Sequence, residues 1–405
     1  MQSDTIDEAL PSGGRLQGHC APAFSAVLDE FRTNYAERGE VGASVCIVHE
    51  GAKVVDLWGG IADPATGRPW ESDTVGIIFS GTKGVAALVA NLLVERGTLN
   101  LHDDVAKLWP EFARNGKAGT TLAMMLSHCS PVPALRDPIR PGGACDWDYM
   151  IERMADEPAW WAPGTRQGYH AFTYAWTVGQ MVRLAAGKPL AKVLEEEITG
   201  PHGIDFWIGL PEEQEHRVAP LTMAEFSEAD KATRFVQALY DPETLTSRFA
   251  NTGGLDINTR EGRAIELCSG NGITNARGLA SIYALVANHD GALLDEDTII
   301  RMSRATGATH EDAMMLRPTR FGLGFMLSMT DPSTGRGLVI GDRAFGHVGA
   351  GGSVGFADPQ AGMSFAYTMN KCGPIGLLND RGQSLVDAAY RSLGWKGKPA
   401  GAWRP

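Results

Sequence analysis

The sequence predicts an α+β fold, with one antiparallel sheet assembled from both ends of the chain and a mainly helical segment inserted between them. Three observations lead there. Short runs rich in β-branched and aromatic residues, separated by turn residues, lie near residues 42–79 and again after residue 320. Apolar residues at helical spacing dominate the stretch between them. No internal repeat, low-complexity tract or linker divides the chain into independent units. The economical solution is a sheet flanked by terminal helices with the helices of the middle set apart. The expected division is an α/β domain of residues 1–84 and 231–405, and a helical subdomain of residues 85–230.

The elements follow in order. PAFSAVLDEFRTNYAER (22–38) has helical periodicity. GASVCIVHEGAKVVDLWGG (42–60) is two β-rich runs about a His-Glu-Gly turn, a hairpin. VGIIFS (75–80) is a short apolar strand, and GTKGVAALVANLLVERGTLN after it is a helix apolar on most sides, hence buried. Residues 101–200 stay helical with Pro and Gly punctuation, and 201–270 are irregular. ARGLASIYALVANHDG (276–291) is helical again. FGLGFMLSM, RAFGHVGAGG, SVGFADPQAG and MSFAYTMN then read as short strands, and SLVDAAYRSLGW (384–395) as a closing amphipathic helix.

With 405 residues and 43% hydrophobic content, the chain can bury a large core. A net charge of −12 with no basic stripe argues against nucleic acid or an anionic membrane surface as partner, since phosphate contact relies on Lys and Arg. Six widely scattered cysteines, none in a C-x-x-C, read as buried apolar residues rather than a disulfide framework. The first twenty residues lack the basic and apolar regions of a leader, and no apolar run reaches the length of a transmembrane helix. A cytoplasmic, reduced protein is expected, unless a leader has already been removed. No His/Glu cluster has zinc spacing such as H-E-x-x-H, so neither a metal nor a cofactor is expected.

Two stretches compete to supply a nucleophile. GGSVG (351–355) matches G-x-S-x-G, and SGTK (80–83) matches S-x-x-K. An elbow serine needs a strand-to-helix turn, but Ser353 is followed by strand, turn and strand. Ser353 therefore fits a Gly-rich strand edge. Ser80 ends a strand and opens a long helix, with Lys83 one turn later on the same face. A serine hydroxyl needs an adjacent base, and Lys83 can serve only if burial and the helix N-terminus lower its pKa by roughly 3 units. The alternative is an N-cap serine followed by a snorkelling lysine. PGTRQGYH (163–170) sets Tyr169 in a loop at a helix start, and FGHVGAGG (345–352) offers backbone N–H groups to an oxyanion. A buried tyrosine and a close-packed strand are the structural alternatives for these two.

Taken together, these motifs resemble the serine β-lactamase and penicillin-binding-protein superfamily, and within it the family VIII carboxylesterases, which look like class C β-lactamases. The resemblance spans about residues 25–395. SHCS at 127–130 resembles the family's T-H-T-S-G-L turn, and NARGLASIYALVANHDG and GHVGAGGSVGFAD add to the match. It implies a β-lactamase/transpeptidase-like fold. It also implies Ser80 as acylated nucleophile, Lys83 as its base, and Tyr169 as the Y-x-N tyrosine that relays the proton. His347, Val348 and Gly349 stand where the lactamases have K-T-G, and the N–H groups of Ser80 and Ala350 would form the oxyanion hole. Family esterases often carry a G-x-S-x-G that takes no part in the chemistry, in agreement with the reading of Ser353.

The departures bear on substrate. Ala171 replaces the Asn of Y-x-N, and His347 replaces the Lys of K-T-G, removing the permanent cation that would meet a β-lactam or peptide carboxylate. Both losses favour an uncharged small or short-chain ester over an efficient β-lactamase or D-Ala-D-Ala carboxypeptidase. Trp147, Tyr149, Trp160, Trp161, Phe206 and Trp207 are candidates for an apolar acyl or alcohol pocket, Trp160 and Trp161 foremost, with ordinary packing as the alternative. His128 reads as a turn-stabilising residue, and His170 as pointing either at the site or away. The expected partner is a small ester. An acyltransferase, a peptidase of D-amino-acid amidase type and a non-catalytic binding protein are the competing readings.

Overall fold

The computed structural model describes residues 4–288, 293–332, 335, 337–373, 378–398 and 401–405. Its centre is an antiparallel sheet with 11 strands among those residues. The N-terminal part supplies β1 (Asp4–Ala9), β2 (Arg15–Cys20), β3 (Gly42–His49) and β4 (Ala52–Asp63). The C-terminal part adds, outward from β3, the strands Met363–Met369, Val354–Asp358, Phe345–Val348, Met326–Leu327, Thr319–Phe321 and Gly307–Thr309. The seam is the pairing of β3 with Met363–Met369, where Cys46 faces Ala366. The sheet is thus built from both ends of the chain, as its strand runs imply.

The pleat divides the core. Val45 and Ile47 of β3, with Phe365 and Tyr367, pack under α1 (Ser25–Glu37) and the C-terminal helix Asp380–Ser392. Cys46, Ala357 and Ala366 face the other way, towards α2 (Gly81–Glu95) and the helix Ala276–Ala287. Small residues on that face let the helix lie close. A Cβ on Gly355 would sit 2.7 Å from the Leu279 side chain. The helix predicted over 276–291 ends at Ala287, and residues 289–291 lie outside the described set.

The β1–β2 hairpin escaped sequence reading. β1 carries exposed polar residues at alternate positions and is held by pairing with β2 and by an Arg15–Asp7 ion pair of 2.6 Å. An edge strand of this kind leaves no apolar run to recognise. The chain enters the middle region through Gly76–Ile77 and returns through Gly272–Thr274, which pair with each other and with Phe206–Ile208 in a separate three-stranded sheet. Between them lie α3 (Leu122–Leu126), α4 (Trp147–Asp156) and α5 (Tyr174–Ala186), with α2 packed on α5. Ser80 therefore stands where sheet and helices meet.

Candidate active site

The site is built at the first turn of α2. Phe79, just before Ser80, has φ +46°, a left-handed conformation that is uncommon for a bulky residue. Thr82 holds this turn: its hydroxyl donates to the Phe79 carbonyl at 2.5 Å and accepts from Gly272 N at 2.7 Å. Ser80 occupies the N-cap position, but its side chain makes no capping bond. Its Oγ lies 3.1 Å from Lys83 Nζ instead. The structural alternative of a capping serine is not what this hydroxyl does.

Lys83 is fully buried and does not snorkel. Its Nζ donates to the carbonyls of Ala171 at 2.8 Å and Ser269 at 2.6 Å, and stands 5.0 Å from the centre of the Tyr169 ring. Burial lowers its pKa from 10.5 to about 7. A neutral amine has two hydrogens and one lone pair. With both hydrogens taken by carbonyls, the lone pair is left for Ser80.

Tyr169 reaches this pair from the loop ahead of α5. Asp312 Oδ1 accepts from Tyr169 N at 3.0 Å and from Met314 and Met315 N, both at 2.9 Å, which fixes the loop. The phenol ring is stacked between Phe321, at 6.0 Å, and Phe249, at 6.3 Å. Burial raises its pKa, partly offset by a hydrogen bond with Ser80. Tyr169 is therefore a neutral phenol at ordinary pH.

The strand Phe345–Val348 and the turn after it form the facing wall. His347 is fully buried, with Nδ1 2.7 Å from the carbonyl of its neighbour Val348. Burial, with Lys83 as a lesser influence, lowers its pKa to about 3. It brings no cation to the place where K-T-G would have one. Gly349 N donates to Ser353 O at 2.7 Å, and Asn379 Nδ2 donates to Gly351 O at 2.7 Å, so the turn is tied at both ends. Among the described residues, neither Ser80 N–H nor Ala350 N–H has a hydrogen-bond acceptor. Ser353 is buried and donates to the Ile78 carbonyl at 2.9 Å. His128 Nδ1 accepts from His170 N at 3.1 Å, and His170 Nδ1 lies 2.6 Å from Gly168 O. Both rings serve the Tyr169 loop, and no bond links either to Ser80.

A small cavity of about 20 Å³ lies next to Ala171, with Phe172, Trp176, Arg248, Phe249 and Met314 among its walls, and Ser80, Lys83 and Tyr169 do not line it. None of the six tryptophan, tyrosine and phenylalanine candidates lines it. Trp160 stands one layer out, its Nε1 donating to Ala134 O at 2.8 Å and its ring covered by Arg136. Trp161 lies against Gly168 and beneath Arg166. Trp147 donates to Gln180 on α5, and Tyr149 packs against Arg140 and Arg153. Phe206 and Trp207 belong to the small sheet. The wall residues Arg248 and Phe249 come from the irregular stretch, where no periodicity marked them. Among the described residues no cluster of His, Cys, Asp and Glu is set to hold a metal, and no helix is long and apolar enough to cross a membrane.

Comparison with known proteins identifies the family and the fold. The Beta-lactamase family model matches residues 25–390. The chain is 30% identical over 385 residues to the Esterase/beta-lactamase LipL of Mycobacterium tuberculosis, covering 89% of this chain and 84% of that protein. The crystal structure of a family VIII carboxylesterase superposes with a TM-score of 0.77 at 35% identity, covering 93% of this chain and 99% of the other. A penicillin-binding-protein homologue from Caulobacter crescentus superposes with a TM-score of 0.81 at 34% identity, with the same coverage. The chain belongs to the beta-lactamase family, as a hydrolase of the esterase/β-lactamase type with family VIII carboxylesterases among its structural neighbours.

Proposed function

We propose that the protein is a serine carboxylesterase that hydrolyses small or short-chain esters through an acyl-enzyme on Ser80. The observation that carries this is the 3.1 Å approach of Lys83 Nζ to Ser80 Oγ, with the lysine pKa lowered to about 7. The neutral amine takes the Ser80 proton as Oγ attacks the ester carbonyl. The N–H groups of Ser80 and Ala350, free of protein acceptors, receive the oxyanion. Tyr169 relays the proton to the departing alkoxide as the C–O bond breaks. Water then adds to the acyl-enzyme, gives its proton back through Tyr169 and Lys83, and releases the acid and a restored Ser80. Gly349 shapes the oxyanion turn, and His347 forms part of the wall opposite.

The neutral His347 supports an ester over a β-lactam, whose carboxylate finds no permanent cation on that strand. β-Lactam turnover is then a slow side reaction. Trp160 and Trp161 bound the substrate region from the second layer. The test is hydrolysis of p-nitrophenyl acetate, butyrate and octanoate by wild type, Ser80→Ala and Ser353→Ala, with nitrocefin alongside. Loss of ester cleavage in Ser80→Ala alone supports the reading. A dead Ser353→Ala overturns it. Added alcohol or amine separates hydrolysis from acyl transfer by the partition of products, and failure of a fluorophosphonate to label Ser80 would point to a binding protein instead.

A further inference from the structure

Three successive backbone N–H groups, those of Gly168, Tyr169 and His170, end on two other residues. Gly168 N donates to the His128 carbonyl at 3.0 Å. Tyr169 N donates to Asp312 Oδ1 at 3.0 Å. His170 N donates to His128 Nδ1 at 3.1 Å. His128 thus grips the chain on both sides of the tyrosine, once with its backbone and once with its ring. The ring also lies against the phenol, with centres 4.8 Å apart, and packs on Phe321 at 4.4 Å and Tyr174 at 5.4 Å. It is fully buried.

These demands account for the residue type at 128. Its φ is +63°, in the left-handed region, where Asn, Asp and His are the side chains tolerated best after Gly. Nδ1 faces an amide N–H, so it carries no proton, and the ring proton sits on Nε2. A side chain without an acceptor at that place would leave the His170 N–H buried and unpaired. Nε2 has no partner among the described residues, so neither ring nitrogen bonds to Ser80 or Lys83. Whatever His128 does for the chemistry passes through Tyr169. We propose that His128 is the positioning residue of the proton relay: by holding the chain on both sides of Tyr169 it sets the phenol oxygen against Ser80. A misplacement of about 1 Å in such a group can cost on the order of 10²-fold in rate. The inference rests on the reading of Tyr169 as the relay.

The experiment measures kcat and KM for p-nitrophenyl butyrate with His128→Asn and His128→Gly, each alone and combined with Tyr169→Phe. Both substitutions suit a left-handed backbone and both remove the ring, but only Asn brings an acceptor, its Oδ1, towards the place of Nδ1. The expected result is a kcat about 10- to 100-fold below wild type in His128→Gly, with KM within about 2-fold, and at least about 10-fold higher in His128→Asn than in His128→Gly. In the Tyr169→Phe background, where no hydroxyl is left to position, neither substitution should lower kcat by more than about 2-fold. Equal kcat in the Asn and Gly variants overturns the proposal, as do losses that add in full to that of Tyr169→Phe. Should His128→Gly fail to fold, His128→Asn decides by itself: a kcat within about 10-fold of wild type is expected, and a deeper loss overturns the proposal. Tyr169→Phe alone keeps the two ideas apart. A wild-type kcat there sinks the relay reading, whereas a slow Tyr169→Phe beside an unimpaired His128→Gly sinks this inference only.

Discussion

Ser353 Oγ donates to the carbonyl of Ile78 at 2.9 Å, two residues ahead of Ser80. The serine of the G-x-S-x-G stretch thus braces the turn that presents the other serine. Its hydroxyl is buried and already committed. Ser353→Ala removes one hydrogen bond, while the Ile78 carbonyl keeps Gly81 N at 3.0 Å as a partner. We expect a stability loss of about 1 kcal/mol in denaturant unfolding and most of the esterase activity retained. Ser80→Ala should lower kcat by on the order of 10⁴-fold or more. Equal losses in the two variants would contradict this division of roles.

Lys83 makes a prediction about pH. Its folded pKa, about 7, lies below the unfolded value near 10.5. Between those values the unfolded chain binds the proton and the folded chain does not, so this group's contribution to stability rises with pH. Below pH 7 the folded protein carries the full cost of a buried ammonium. Lys83→Met should therefore be inactive, and its stability relative to wild type should be greatest near pH 6. That relative advantage should shrink by about 1.4 kcal/mol per pH unit between 7 and 10. Wild-type kcat/KM should rise with pH to a plateau above about 7. Parallel stability curves for the two proteins would mean that Lys83 is not depressed.

How far the sequence discloses this site depends on the range of the contacts. Ser80 and Lys83 are one helical turn apart, so a local motif places them together. Tyr169 was legible only as a loop tyrosine that matches a family motif, because Asp312 and Phe321, which hold it, lie far along the chain. Arg248 and Phe249 were illegible. They enter through a short 3-10 turn, Thr246–Ala250, in a stretch with no apolar period, and only tertiary packing brings them to the cavity. The aromatic candidates pose the opposite problem. Aromatic side chains are conspicuous in a sequence, yet Trp147 and Trp160 spend their surface on packing and their Nε1 on internal acceptors.

Tyr169 offers a clean separation of chemistry from packing. Its ring is sandwiched by Phe249 and Phe321, so Tyr169→Phe keeps the stack and removes only the hydroxyl. A Tm within a few degrees of wild type is expected, with kcat lower by about 10²- to 10⁴-fold, the range of a lost proton carrier. Mass spectrometry after mixing with substrate tells which half-reaction suffers. A persistent acyl adduct would assign the larger loss to deacylation, and a free enzyme to acylation. A variant with unchanged kcat would remove Tyr169 from the relay.

Gly349 tests the oxyanion turn. A Cβ there would stand 2.0 Å from the Ile78 carbonyl oxygen and 2.2 Å from Ser353 Oγ. No real Cβ tolerates such a distance, and the carbonyl belongs to backbone that cannot rotate away. Gly349→Ala must push the turn off the Ser80 strand and carry the Ala350 N–H with it. The expected loss is about 10²- to 10³-fold in kcat, that of one oxyanion donor. The double variant Gly349→Ala with Ser353→Ala separates the two clashes. It relieves the hydroxyl contact and leaves the carbonyl one, so activity should stay as low as in Gly349→Ala. Recovery in the double variant would show that the serine, not the backbone, sets the position of the turn.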